Sequence, residues 1–202
     1  MAKLAMNKST LQKERERLKL YQRVLPSLEL KRRQLMVEVA RAREALKHAR
    51  EEIGRLTAHV GAQLPMLADH AIDVSGLVRI ESADITEENI IGVRLPLLGE
   101  VQCTIQDYAM LAKPHWVDVL VDCLKEAVIL QLNQQVMEER VKRLDYAVRR
   151  TTQRVNLFEK VLIPSAKKNI QRIRIFLGDA ERAAIVRAKI SKSKQKKKME
   201  EM

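Results

Sequence analysis

The stretch Arg154–Pro164, RVNLFEKVLIP, lies inside a long helical pattern and ends in proline, a residue that usually stops or bends a helix. Residues of one stripe recur every three or four positions on both sides of it, and all of them are apolar except Thr151. The apolar residues are Met137, Val141, Leu144, Val148, Val155, Phe158 and Leu162 before the proline, and Ala166, Ile170, Ile173, Leu177, Ala180 and Ala184 after it. Because all of them stay near one helical face, we expect one helix that bends at Pro164.

The local spacing around this proline also departs from a regular heptad. From Phe158 to Ile170 the apolar residues are four apart three times in succession, a stutter that unwinds a coiled coil locally. Pro164 lacks the N–H that would donate to the carbonyl of Lys160, so a kink is expected there. Two separate helices that meet at Pro164 are the alternative.

The N-terminal part of the chain has a matching pattern. Ser9 and Gln12 fit a capping box, which predicts a helix that begins at Ser9 and extends over residues 9–60. Its apolar seam alternates spacings of three and four, and a second kink is expected at Pro26. The main seam residues are Leu18, Leu25, Leu28, Leu35, Val39, Leu46 and Ile53.

A helix with such a narrow apolar stripe needs a partner helix of similar length. The second pattern supplies it, over residues 114–190, with Pro114 as a first-turn proline. The sequence therefore predicts an all-α dominated fold: a long antiparallel two-helix coiled-coil hairpin, with a basic tail at 191–202. The helices should meet along a seam that includes Val141, Leu144, Val148, Val155, Phe158, Leu162, Ile170, Ile173 and Leu177.

The middle segment, residues 61–113, differs in composition from both flanks. Net charge is +8 over residues 1–60, −6 over 61–118 and +10 over 119–202. Residues 61–118 also hold four of the six glycines and three of the five prolines, which favours turns over long helices. Short β-like runs at 77–81, 90–95 and 101–105 predict a small β-hairpin or three-stranded element that packs on the helices or on another protein.

Residues that could carry chemistry are sparse. No glycine is followed by Lys-Ser or Lys-Thr, so a phosphate-binding loop is absent from the sequence. Three histidines recur every 11 residues without a neighbouring ligand, and two cysteines and His115 fit no zinc spacing. The histidines are His48, His59 and His70, and the cysteines are Cys103 and Cys123. We expect no catalytic residues, no metal and no cofactor, and hence no enzyme.

Two cysteines make no disulfide framework, and no stretch approaches the roughly 20 apolar residues of a membrane span. The expected location is the cytoplasm, with any membrane association through partners. The run Arg187–Lys198 holds seven basic residues, which fit either a frayed, solvated tail or an electrostatic grip on an acidic surface. Nucleic acid is the weaker partner hypothesis, because aromatics are only 3% of the chain and no reading motif is present.

Three ordered blocks resemble the D subunit of the V-type (vacuolar/archaeal-type) ATPases and ATP synthases. The first is NKSTL from Asn7 followed by RLKLYQRVLPSLELKRRQL from Arg17. The second is NIIGVRLP from Asn89, and the third is RVNLFEKVLIPSAKKNIQRIRIFLGDAERA from Arg154, with Pro164 in the pattern. The resemblance extends over nearly the whole chain.

This resemblance implies a central rotor shaft that transmits torque between ATP hydrolysis or synthesis and ion transport. The paired helices would insert into a hexamer of alternating catalytic and non-catalytic nucleotide-binding subunits. The turn end would contact an adaptor on the membrane rotor ring, and a small companion subunit would bind the side. Catalytic residues would lie in other chains. The candidate surface for companion and adaptor is Glu87, Glu88, Ile90, Ile91, Gly92 and Val93.

Three other classes of protein are alternatives to the rotor shaft. A tethering or cytoskeletal coiled coil explains the heptads but not the β-like insert. A basic nucleic-acid-binding hairpin predicts a steep salt dependence of binding. The central stalk of an F-type ATPase carries a larger α/β domain between its helices, for which the middle segment is too short.

Overall fold

Two long helical stretches flank one β-hairpin in the computed structural model, which describes residues 5–68, 76–106 and 116–200. The elements in chain order are α1 (Lys8–Gln63), a 3₁₀ turn (Pro65–Ala68), β1 (Val78–Ile90), β2 (Val93–Ile105), α2 (Trp116–Leu157), a π-helical turn (Phe158–Leu162) and α3 (Ile163–Glu200). The predicted helix-dominated fold with a small β-hairpin in the middle is confirmed.

The first helix begins one residue earlier than predicted, and a different residue caps it. Oδ1 of Asn7 accepts a hydrogen bond from the backbone N–H of Thr10 at 2.7 Å, which makes Asn7 the N-cap. The predicted capping box at Ser9 is therefore wrong: Nε2 of Gln12 instead donates to Oε1 of Glu16 at 2.9 Å. The helix then continues through Pro26 to Gln63 without a break.

The helical path also continues across Pro164, as the apolar stripe predicted. Just before it the chain forms a π-helical turn over Phe158–Leu162, in which the N–H of Ile163 donates to the carbonyl of Phe158. Three α-helical turns use about 11 residues, whereas Phe158 and Ile170 are twelve positions apart. A π turn accommodates one extra residue, so it keeps both side chains on the same face.

The third helix, α3, extends to Glu200, past the predicted helix end at residue 190. Residues 179–202 contain no glycine or proline, and lysine, glutamine, alanine and methionine favour helix. The basic run is therefore helical rather than a frayed tail.

The β-hairpin is longer than the sequence runs indicated, with two strands of 13 residues each. The predicted strand at 90–95 is wrong at its start, because it contains the turn: Ile91 and Gly92 both have positive φ, 53° and 75°. Positive φ at two central residues is the geometry of a two-residue hairpin turn that follows the strand twist. The ladder pairs Ile90 with Val93 at the turn and Val78 with Ile105 at the open end.

Two irregularities interrupt this ladder. Ile80 pairs with Cys103 and Ser82 with Gln102, so β1 carries an extra residue there. The second irregularity lies between Ala83 and Ile85, where β2 carries the extra residue. Next to it, a Cβ on Gly99 would come 3.2 Å from the carbonyl oxygen of Asp84, so glycine permits the close approach of the strands.

The chain divides into two compact units. The central unit is Lys31–Arg150, which contains the hairpin, and the terminal unit combines the chain up to Leu30 with the chain from Thr151 onward. In the central unit, α1 and α2 are antiparallel, since Arg43 contacts Asp145 and Arg50 contacts Glu138. In the terminal unit, α1 pairs with the chain from Thr151 onward in the same antiparallel sense, because Glu14 contacts Asn169 and Tyr21 contacts Phe158.

Candidate interaction surfaces

The tip of the β-hairpin, around the turn at Ile91 and Gly92, covers the helix pair of the central unit. Leu95 is fully buried and forms a cluster with Leu35, Val39 and Leu144. Three residues of the tip that the sequence singled out for docking pack against this cluster: Ile90, Ile91 and Val93. Ile91 is a β-branched residue at positive φ, which is unusual, and its apolar contact offsets the backbone strain.

Two arginines of α2 hold the tip by its backbone. Nη1 of Arg140 donates to the carbonyl of Pro96 at 3.0 Å, and Nη1 of Arg143 donates to the carbonyl of Arg94 at 3.3 Å. The Arg140 side chain is only 14% exposed. We call this pair the arginine clamp. The clamp was not predictable from the sequence, because no local pattern pairs an arginine with a carbonyl some 45 residues away.

The same arginines neutralise the carboxylates of the tip. Oε2 of Glu88 lies 3.2 Å from Nη2 of Arg140, and Oε1 of Glu87 lies 3.8 Å from Nη1 of Arg143. Glu87 also lies 3.9 Å from Arg94. The two candidate docking carboxylates are about half exposed and already have partners within their own chain. A partner that binds them therefore meets a neutralised surface.

A second apolar cluster lies at the open end of the hairpin. Leu77 is buried against Val117 and Val121 of α2, and the half-buried Val78, Trp116 and Leu124 surround it. The hairpin is thus anchored to the helices of the central unit at both of its ends. This cluster was also missing from the predicted seam, because Leu77 belongs to no helical periodicity.

The predicted seam residues are all buried or half-buried. In the central unit, Leu35, Val39 and Leu144 are buried, and Leu46, Ile53, Val141 and Val148 are half-buried. In the terminal unit, Val155, Ile170 and Ile173 are buried, and Leu18, Leu25, Leu28, Phe158, Leu162 and Leu177 are half-buried. The rings of Tyr21 and Phe158 meet edge to face with centroids 5.5 Å apart.

Ion pairs flank the seam of the central unit. Nη2 of Arg43 lies 3.0 Å from Oδ1 of Asp145, and Nη2 of Arg50 donates to Oε1 of Glu138 at 2.9 Å. Nε2 of Gln134 donates to the same oxygen at 3.0 Å. These two hydrogen bonds hold the pKa of Glu138 below its usual value. The bond from Arg50 has the larger effect, and the bond from Gln134 adds to it.

A buried carboxylate lies in the terminal unit. Glu14 is 5% exposed, and it is the only buried charged side chain within the described residues. It accepts a hydrogen bond from Nη1 of Arg17 at 2.8 Å and one from Nδ2 of Asn169 at 3.3 Å. Glu14 continues the three-and-four spacing back from Leu18 to Leu11, so the heptad register itself could have identified it as a polar seam residue.

A groove follows the same helix pair in the terminal unit. One part of about 660 Å³ is lined by side chains of α1 and α3, with Leu18 and Ile170 among them. An adjoining part of about 380 Å³ shares Gln12, Arg15 and Arg174 with it. The cations in the first part are Arg15, Lys19, Lys167 and Arg174. None of the four makes an ion pair within the described part of the chain.

Within the described residues, the C-terminal part of α3 is exposed, and Lys8 of α1 contacts it through an ion pair with Glu181. Every residue from Asp179 to Lys196 is exposed. Its large apolar side chains are Ile185, Val186 and Ile190, each more than half exposed. A helix with exposed apolar groups is typical of a segment that another protein covers.

Residues 5–68, 76–106 and 116–200 contain neither a candidate metal site nor a candidate membrane-spanning helix. Within these ranges no three acidic, histidine or cysteine side chains form a group that could hold a metal ion. His48 lies 3.7 Å from both Glu44 and Glu51, His59 is exposed, and the thiols of Cys103 and Cys123 are free and half-buried. His70 and His115 lie outside the described residues. No described helix has the length and apolar character needed to cross a membrane.

Comparison with known proteins gives one consistent result. Residues 10–193 match the family of the ATP synthase D subunit. The chain is 32% identical over 198 residues to the V-type ATP synthase D subunit of Borreliella burgdorferi, with 98% of each chain covered. It is 34% identical over 198 residues to the protein of that name from Chlamydia muridarum, with 96% of each covered, and 31% identical over 202 residues to that of Chlamydia caviae, with 99% of this chain and 97% of the relative covered.

A long helix pair that carries a β-hairpin, together with these matches, defines a helical subunit of the V-type ATP synthase class. The chain belongs to the ATP synthase D-subunit family. The resemblance found in the sequence is thereby confirmed.

Proposed function

We propose that this chain is the central rotor subunit of a V-type ATPase or ATP synthase, and that it transmits torque between nucleotide turnover and ion translocation. Catalysis and ion transport would take place in other subunits. Relatives that share about a third of their residues with this chain are named as the D subunit of V-type ATP synthase. We propose that this chain likewise assembles with the other subunits of that complex.

One observation carries this proposal: the exposed C-terminal part of α3 with Ile185, Val186 and Ile190. A rotor needs a segment that enters a surrounding protein sleeve, and apolar groups that are exposed in the isolated chain fit burial in such a sleeve. We propose that the sleeve is the hexamer of catalytic and non-catalytic nucleotide-binding subunits.

Charge supports the same placement. Residues 1–30 and 151–202 carry 21 Lys/Arg against 8 Asp/Glu, net +13, whereas residues 31–150 carry 17 against 18, net −1. The terminal unit thus holds the whole excess of positive charge. A surrounding sleeve of acidic character would attract it over a distance of about one Debye length, near 8 Å at physiological salt.

The central unit would contact the remaining partners. We propose that the hairpin tip forms a docking surface for the small companion subunit and the adaptor on the membrane ring. Glu87, Glu88 and Gly92 are exposed and would contact these partners, whereas Ile90, Ile91 and Val93 would support the surface by packing on the helices. The arginine clamp supports this role, because it fixes the tip in one position on the helices. A rigid surface binds with less loss of entropy than a mobile one.

The interruptions of the backbone hydrogen-bond ladder at Pro26 and Pro164 would make the shaft asymmetric. Each proline removes a backbone hydrogen bond, and Pro164 lies two positions after Leu162, the last residue of the π turn. A uniform helix pair would present similar surfaces to three surrounding catalytic sites. We propose that these interruptions give the three sites different contacts.

Affinity purification from native cells tests the proposal. The tagged full chain should co-elute with a pair of large nucleotide-binding subunits, a small companion and ATPase activity. A variant truncated after Arg182 should lose the nucleotide-binding pair and keep the companion. The variant Lys192→Gln, Lys194→Gln keeps Ile185, Val186 and Ile190 and serves as the control. Recovery of nucleic acid or filament proteins alone would refute the rotor assignment.

A further inference from the structure

The groove of the terminal unit has a chemistry that restricts what can bind there. Arg15 and Lys19 are one helical turn apart on α1, and Lys167 and Arg174 are two turns apart on α3, so each pair lies on one helix face. Two cations from each helix thus border the same groove. None of them has an ion-pair partner within the described residues. The groove also contains two carboxylates: Glu16, which accepts a hydrogen bond from Gln12, and Glu181, which pairs with Lys8. The four cations therefore leave the groove with a net positive charge that is available to a ligand.

The groove is also apolar where the helices meet. Ile170 is 7% exposed and Leu18 is half-buried, and in the adjoining part Leu11 and Leu177 are half-buried. Three amide side chains also line this part of the groove: Gln12, Gln22 and Gln171. A matching ligand therefore offers carboxylates at its edges and an apolar group at its centre.

We propose that this groove binds an acidic protein segment, with Asp or Glu side chains beside one or two aliphatic residues, supplied by the sleeve that surrounds the terminal unit. The assignment rests on the proposed rotor function for the source of the segment. It adds the place of contact and the chemistry of the partner.

A protein carboxylate fits the groove better than a nucleic-acid phosphate does. Single-stranded nucleic acids bind where aromatic side chains stack on bases beside the cations, and no aromatic residue lines either part of the groove. The apolar floor would be left uncovered by a phosphate backbone. In an acidic protein segment, an aliphatic side chain covers this apolar floor, and the carboxylates on either side of it pair with the cations.

The test compares two full-length variants of equal charge. The groove variant is Arg15→Gln, Lys19→Gln, Lys167→Gln, Arg174→Gln. The control variant is Lys13→Gln, Arg23→Gln, Lys168→Gln, Arg172→Gln, in which four exposed cations of the same two helices, none of which lines the groove, are replaced. Both lose four positive charges, so any difference between them comes from position.

Binding to the purified hexamer of nucleotide-binding subunits, and separately to a peptide of alternating glutamate and leucine, is measured at 50 and 300 mM salt. We expect the groove variant to bind both about tenfold more weakly than the control at the lower salt, because four ion pairs with the acidic segment are lost. The difference should shrink at the higher salt.

Each other outcome has a distinct meaning. Equal binding of the two variants to hexamer and peptide would overturn the groove assignment and leave the rotor function intact. Absence of hexamer binding by the unmodified chain would instead overturn the rotor function. Groove-dependent binding of an oligothymidylate that exceeds binding of the peptide would make the ligand a phosphate chain, and the proposal of a protein segment would fall.

Discussion

Asn169 donates a hydrogen bond from Nδ2 to Oε2 of Glu14 at 3.3 Å, which joins α3 to α1 across the seam of the terminal unit. The neighbouring seam residues are aliphatic, and aliphatic heptads tolerate a shift of one helix along the other. A buried polar pair does not tolerate it, because the shift removes its partner. We therefore expect this pair to fix the register of the terminal unit.

The variant Asn169→Leu should lower the free energy of unfolding by about 1–3 kcal/mol, since the buried carboxylate loses a hydrogen-bond donor that Arg17 alone does not replace. The double variant Glu14→Leu, Asn169→Leu should recover most of this loss, because an apolar pair needs no hydrogen bond. Urea unfolding of the single and double variants measures both values. Equal destabilisation in the two would show that the carboxylate does not depend on Asn169.

The π turn before Pro164 gives a second prediction. We expect Pro164→Ala to raise the melting temperature, because the removal of an interior proline from a helix is worth up to about 3 kcal/mol. The π turn itself should persist, since the twelve-residue spacing from Phe158 to Ile170 still demands the extra residue.

A structure of the Pro164→Ala variant and its thermal unfolding check both points. Pro26→Ala is the control, because Pro26 lies in the interior of α1 without a π turn. If the turn over Phe158–Leu162 became α-helical in Pro164→Ala, the proline and not the spacing would be its cause.

The helices could be predicted from the sequence because their signal is local. The three-and-four spacing of the apolar residues follows directly from helix geometry, and it remains readable across Pro26 and Pro164. The stutter between Phe158 and Ile170 indicated where the helix would change, although the sequence did not show that the change is a π turn. The cap at Asn7 was missed because Ser9 and Gln12 formed the more familiar motif.

The hairpin and its contacts depended on information that is not local. The sequence pattern places Ile91 and Gly92 in a strand, since isoleucine at positive φ is rare. Its packing on the buried cluster around Leu35 and Leu144 offsets the strain of this backbone conformation. The arginine clamp joins residues more than forty positions apart, and its acceptors are backbone carbonyls that any sequence would provide. Neither feature leaves a pattern in the chain.

The arginine clamp provides a third prediction. Replacement of both arginines, Arg140→Ala and Arg143→Ala, should speed amide hydrogen exchange at residues 90–95 by about tenfold or more, because charge-assisted hydrogen bonds to the tip are lost. Exchange at the open end of the hairpin, beside Leu77, should stay unchanged. Mass spectrometry of exchanged peptides measures both regions.

Lys142→Ala is the matched control for the clamp, since Lys142 is exposed and lies on the same helix between the two arginines. In the Lys142→Ala variant, the amide hydrogens of the hairpin tip should exchange at the same rate as in the unmodified chain. Unchanged exchange in the double arginine variant would mean that the apolar contacts of Ile91 and Leu95 hold the tip without help.

The lowered pKa of Glu138 gives a prediction about pH. Hydrogen bonds from Arg50 and Gln134 favour its ionised form, so its pKa in the folded chain lies below the ordinary value of 4.5. Its contribution to stability is therefore fully present above that value, where the unfolded chain is also ionised. The contribution decreases as the pH falls through the folded pKa and the carboxylate takes up a proton.

The variant Glu138→Gln should accordingly melt below the unmodified chain at pH 7, and the gap should close as the pH is lowered from about 5 to about 3. Thermal unfolding followed by circular dichroism across that range measures the gap. Glu52→Gln is the control, because Glu52 is exposed on α1 with no ion pair in the described residues, and its gap should be small at every pH. A gap for Glu138→Gln that stayed constant from pH 7 to pH 3 would mean that packing, and not the charge held by Arg50 and Gln134, accounts for the loss.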